Sequence, residues 1–109
     1  MKIDPIKLDL SAHCIETETK RAYNRLLSTY FKEKNGRAAI EKKIEILKYF
    51  LEKLDFQKLR STYPELAGGS SSQVVILTDQ KEGPVIQIDG KSVYPLFIRK
   101  KHSGKDQTR

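Results

Sequence analysis

Three observations predict an α+β fold. Residues from about Ser11 to Leu54 carry helical periodicity, interrupted once at Asn35-Gly36; Gly68-Gly69-Ser70-Ser71-Ser72 is a linker-type segment; and the β-branched stretch that follows contains a hairpin turn. The expected arrangement is an N-terminal antiparallel helical hairpin and a short third helix, packed on a small C-terminal antiparallel β-meander. An N-terminal strand is a candidate addition to that sheet.

Ile6, Leu8 and Leu10 alternate with Lys7 and Asp9, the period-2 pattern of a half-buried strand. The alternative at this point is a helical turn begun by Asp4-Pro5, with the acid as cap and proline at the first position. From Ser11, a candidate N-cap, the period changes. Ile15, Thr19, Ala22, Tyr23, Leu26, Leu27, Tyr30 and Phe31 recur at steps of three and four, an amphipathic stripe. Lys32 and Lys34 suit the negative end of that helix, and Asn35-Gly36 supplies a left-handed residue to close it.

A second helix is expected over about Arg37 to Leu54. Ile40, Ile44, Leu47, Leu51 and Leu54 form one stripe, which Ile46, Tyr49 and Phe50 widen. So short a connection makes the two helices antiparallel neighbours. Asp55 can cap a third helix from Phe56 to about Ser61, and Tyr63-Pro64 ends it, because the residue before proline leaves the α region. Val74-Val75-Ile76-Leu77-Thr78 reads as a strand buried on both faces or nearly so. Asp79 to Pro84 is a turn. Val85 to Ile88 and Lys91 to Tyr94, joined by Asp89-Gly90, form a type I′ hairpin that pairs Ile88 with Lys91 and Ile86 with Val93. Pro95 interrupts, and Leu96-Phe97-Ile98 either extends the edge or folds back on the core. Neither the helix pair nor the hairpin is stable alone, so residues 1–98 are expected to share one core. Within them, 1–66 are mainly helical, 67–72 are the linker and 73–98 the β part, while 99–109 form a basic tail, mobile when alone.

The chain has 109 residues with 21 Lys and Arg against 14 Asp and Glu. Six glycines, four prolines and one cysteine exclude collagen-like and disulfide-scaffold classes. No run approaches the roughly 20 apolar residues of a membrane span. The N-terminal residues hold no unbroken apolar stretch, and Cys14 has no partner for an internal disulfide, so a cytoplasmic location is expected.

No catalytic constellation presents itself. His13, Cys14 and His102 are too few and too scattered for a structural zinc site. Cys14 near a helix start is read as a small core residue, since the adjacent His13 diverges from it by about 100° on a helix. Gly90-Lys91-Ser92 lacks the upstream glycine of a phosphate loop. The acids fall in solvated charge patterns or turns. A non-enzymatic protein without metal or cofactor is therefore expected.

Basic charge is the remaining signal. Between Lys20 and Lys43 stand eight basic residues and two acids, and residues 99–109 hold five basic residues and one acid. Lys20, Arg21, Arg25, Arg37, Lys42 and Lys43 are the candidate phosphate contacts of a non-specific nucleic-acid site, with Arg99, Lys100 and Lys101 as an arm. Tyr23, Tyr30 and Tyr49 are either core residues or, if exposed, platforms for a base. A homodimer is expected for this nucleic-acid binder; the competing expectation is an accessory or regulatory protein-interaction subunit, a homodimer or adaptor with no nucleic-acid role, that uses Ile46, Tyr49 and Phe50 as its interface.

Overall fold

The structure, a computed structural model, describes residues 3–78, 80, 83–93 and 97–98. Strand β1 (Ile6–Asp9) buries Ile6 and Leu8 and leaves Lys7 and Asp9 in solvent, as its alternation predicts. Asp4-Pro5 starts no helix. The turn after β1 is held by the Ser11 N–H, which donates to the Asp9 carboxylate at 2.9 Å. That turn delays helix α1 (Ile15–Lys32), whose N-cap is Cys14 and not Ser11.

The connection to α2 (Arg37–Lys53) also differs from expectation. Helix α1 closes on an extended Glu33, and the left-handed Gly36, φ +72°, serves as the N-cap of α2. Glycine's freedom is thus spent on entering the second helix. Asp55 caps α3 (Phe56–Thr62) as expected, its side chain accepting from the Lys58 N–H. Pro64 then opens a 3-10 turn that ends at Ala67.

Strands β2 (Gln73–Leu77), β3 (Val85–Ile88) and β4 (Lys91–Ser92) continue the sheet, antiparallel throughout in the order β1-β2-β3-β4. The N-terminal strand is therefore part of the C-terminal sheet: Ile6 faces Ile76 and Leu8 faces Val74. In β2 only Val74 and Ile76 are buried, while Val75 and Leu77 are half-buried. The expected two-sided burial fails because helices cover one face of the sheet only. At the hairpin, Asp89 (φ +50°) and Gly90 (φ +85°) adopt the left-handed pair of a type I′ turn. Ile88 pairs with Lys91, and the Val93 N–H donates to the Ile86 carbonyl. Beyond it, the Phe97 carbonyl accepts from the Asp55 N–H at 2.7 Å and Ile98 bridges Leu54, so this segment folds back between α2 and α3. The expectations placed on Asp79, Lys81, Glu82 and Tyr94-Pro95-Leu96 lie outside the described residues.

The glycine-serine segment is no free linker. The Ser70 N–H donates to the Leu10 carbonyl and its hydroxyl to the Glu65 carbonyl. Gly68 (φ +101°) lies so close to His13 and Cys14 that a Cβ would sit 2.8 Å from their backbone.

One buried cluster joins both parts: the inner sheet residues, Phe56, Leu59 and Leu66, and the helical hairpin. The hairpin engages it unevenly. Helix α1 buries Ile15, Thr19 and Ala22 in its first half; α2 buries Ile46, Leu47 and Phe50 in its second half. In an antiparallel pair these halves are side by side. The opposite end, with the Glu33–Gly36 connection, extends past the sheet and is exposed.

Candidate nucleic-acid interface

Helix α1 presents an exposed face of a single charge sign, running from Lys20 beside the core-packed half to Lys32 at the overhanging end. The exposed residues of α1 are Lys20, Arg21, Asn24, Arg25, Ser28, Phe31 and Lys32: four cations, two neutral polar residues, a phenylalanine and no carboxylate. They recur because they stand opposite the stripe of Ile15, Ala22 and Leu26 that the core claims. From Lys20 to Lys32 the face runs about 18 Å.

The acids of α1 are withdrawn from this face. Glu18, half-buried in the first turn, lies 2.9 Å from His13 Nδ1 and 3.7 Å from Arg21 Nε. Glu16 pairs with Arg60 from α3 at 3.3 Å. Lys20, Arg25, Lys32, Lys34, Lys42 and Lys43 have no ion-pair partner among the described residues. An unpaired surface cation keeps its charge for an incoming anion and has no internal bond to break.

The candidate residues are thus sorted by the fold. Lys20, Arg21 and Arg25 share the α1 face, joined by Lys32. Lys42 is exposed on α2, where Arg37, Lys42 and Lys48 alternate with Glu41, Glu45 and Glu52, a face without charge excess. Lys43 is half-buried, in helical line with the buried Ile46 and Phe50. Arg37 is engaged locally: its Nε donates to the Glu33 carbonyl at 2.7 Å and its guanidinium lies 4.9 Å from the Tyr30 ring centroid. Arg99, Lys100 and Lys101 lie outside the described residues. Ile98, which precedes them, sits by Leu54 at the C-terminal end of α2.

The tyrosines are divided in the same way. Tyr23 packs against the core. Tyr30 is half-buried between Arg37 and Phe31, and its hydroxyl donates to Glu41 at 3.4 Å. Tyr49 is exposed on α2. The sequence pattern misses Phe31, which it places in the core stripe. With 74% of its surface exposed, Phe31 is the most accessible large apolar residue described. The signal was present: 16 residues after Ile15, Phe31 lies about 160° around the helix from it.

Two of the three residues expected to form an apolar interface on α2 are covered within the chain itself. Ile46 and Phe50 are buried in the core, at 5% and 1% exposure, and Tyr49 alone faces solvent. The surplus apolar width of α2 has an internal explanation: the helix packs along α1, and its Ile46, Leu47 and Phe50 also join the common buried cluster. That width therefore does not by itself call for a second copy.

The cysteine environment is more structured than the sequence implied. Burial raises the Cys14 pKa, but this is outweighed by hydrogen bonds from Thr17 (side chain and backbone) and from the Glu16 backbone, with Arg60 nearby. The thiol is held below its ordinary value. His13 points to Glu18, away from any role as a base for Cys14. Among the described residues no three His, Cys, Asp or Glu side chains gather to hold a metal ion, and no helix is long and apolar enough to cross a membrane.

A protein of Archaeoglobus fulgidus described as uncharacterised is 37% identical over 57 residues, which are 50% of this chain and 67% of that one. No solved structure matches the chain. A family model covers residues 4–90, from the residues before β1 to the turn after β3. The chain belongs to that uncharacterised protein family.

Proposed function

We propose that this protein binds nucleic acid, without catalysis, through the exposed face of α1, with Arg99, Lys100 and Lys101 as a supplementary arm. The observation that carries the reading is the acid-free run of Lys20, Arg21, Arg25 and Lys32 along one exposed helix face. Phosphates bound there release condensed counterions, so affinity is largely independent of sequence and falls with salt. The single thiol, with no internal disulfide partner, suits a reducing cytoplasm.

Fluorescence anisotropy of labelled oligonucleotides between 50 and 200 mM salt tests this. Lys20→Ala, Arg25→Ala and Lys32→Ala should each weaken binding and reduce the slope of log K against log salt by about 1. Lys48→Ala, on the charge-balanced face of α2, should change neither. Absence of binding at 50 mM salt, or an effect of Lys48→Ala equal to the others, overturns the proposal.

A further inference from the structure

We infer that the α1 face takes single-stranded nucleic acid, with an unpaired base stacked on Phe31. The inference rests on the nucleic-acid reading above and adds the form of the ligand. Phe31 stands in the last turn of α1 on the overhanging end of the hairpin, 74% exposed, where a phenyl ring gains nothing from the core. Its position is braced from behind. Tyr30 meets it edge to face, with centroids 5.6 Å apart and planes at 83°. The Arg37 guanidinium packs on the Tyr30 ring, and Arg37 is itself tied to the Glu33 carbonyl. A ring held in this way offers its free surface at little entropic cost on binding.

The charges exposed on its own helix select the occupant. The other exposed residues of α1 are Lys20, Arg21, Asn24, Arg25, Ser28 and Lys32. A second copy of this chain would bring the same cations against them, and like charges in contact oppose association. A polyanion with exposed aromatic faces satisfies both the cations and the ring. In a duplex the base faces are already stacked inside the helix, whereas a single strand presents them, and stacking on an aromatic side chain is tolerant of sequence.

The chain contains no tryptophan, so Phe31→Trp places a single reporter at the site. Twelve-residue deoxythymidine and uridine strands should quench its emission saturably, and a duplex of equal length should leave it nearly unchanged; quenching by only one of the two strands identifies whether the ligand is DNA or RNA. Phe31→Ala and Phe31→Leu should each weaken single-strand binding about 10-fold, with duplex binding and the salt slope unaltered. Both replacements are at an exposed position, and an unchanged far-ultraviolet circular dichroism spectrum confirms the fold. If salt-dependent binding persists but Phe31→Ala lowers single-strand and duplex affinity alike, or neither, stacking is overturned while the charge reading stands. If neither strand nor duplex binds at 50 mM salt, both are overturned.

Discussion

Gly68 shows how much a single backbone position can decide. Its φ of +101° is strained for any L side chain, and an added Cβ would meet the His13 and Cys14 backbone at 2.8 to 2.9 Å. A neighbouring backbone cannot turn aside as a side chain can. Gly68→Ala should therefore cost roughly 3 kcal/mol, combining backbone strain with overpacking. Gly69 also has a positive φ, +70°, but open space where a Cβ would go. Gly69→Ala should cost only about 1–2 kcal/mol. Urea unfolding of the two variants checks the ranking, and equal midpoints would contradict the close approach. Cys14, on the other side of that contact, is governed by hydrogen bonding. Its thiol titrates below the ordinary value when folded, so folding favours the thiolate. The associated stability is present above the unfolded pKa and is lost as pH falls through the folded one. Alkylation by iodoacetamide should accordingly show a lower pH midpoint in the native protein than in the denatured chain, and Arg60→Ala should move that midpoint upward. A native midpoint at or above the denatured one would refute the assignment.

The helices illustrate a conflict between local pattern and available partners. Both α1 and α2 carry apolar stripes along their full length, yet the sheet against which they pack has strands of at most five residues. Five residues span about 17 Å, while 18 helical residues span about 27 Å. One end must overhang, and the chain lets the Glu33–Gly36 end do so. There Leu27, Tyr30, Ile40 and Ile44 are only half-buried. Local opening is therefore easier at this end. Amides of Phe31, Ile40 and Glu41 should exchange with deuterium at least about 10-fold faster than those of Leu47, Phe50 and Leu51. Uniform protection along α2 would show that the overhang is supported by something else. Such an end is also where exposed residues can be placed without disturbing the core, and Arg25, Phe31 and Lys32 stand there, while Lys20 and Arg21 point outward from the core-packed half.

At the scale of the whole molecule, the amino-acid order by itself determined the elements and most of their pairing. The alternation of Ile6, Leu8 and Leu10, the Asp55 cap and the Asp89-Gly90 turn each encode a local geometry within a few residues, so they can be read without knowing what lies nearby. The sum of basic residues from Lys20 to Lys43 was legible too. Tertiary structure alone decided which surfaces those elements kept. It joined β1 to β2 across 63 intervening positions, from Asp9 to Gln73, and turned an apparent linker into a packed contact at Gly68 and Ser70. It consumed Ile46 and Phe50 in the core, half-buried Lys43 and left Phe31 in solvent. The reason is that burial is relational: a helical stripe states which side chains align, but only the length and position of the partnering sheet state which of them are covered. The proposed binding face is what that covering left exposed.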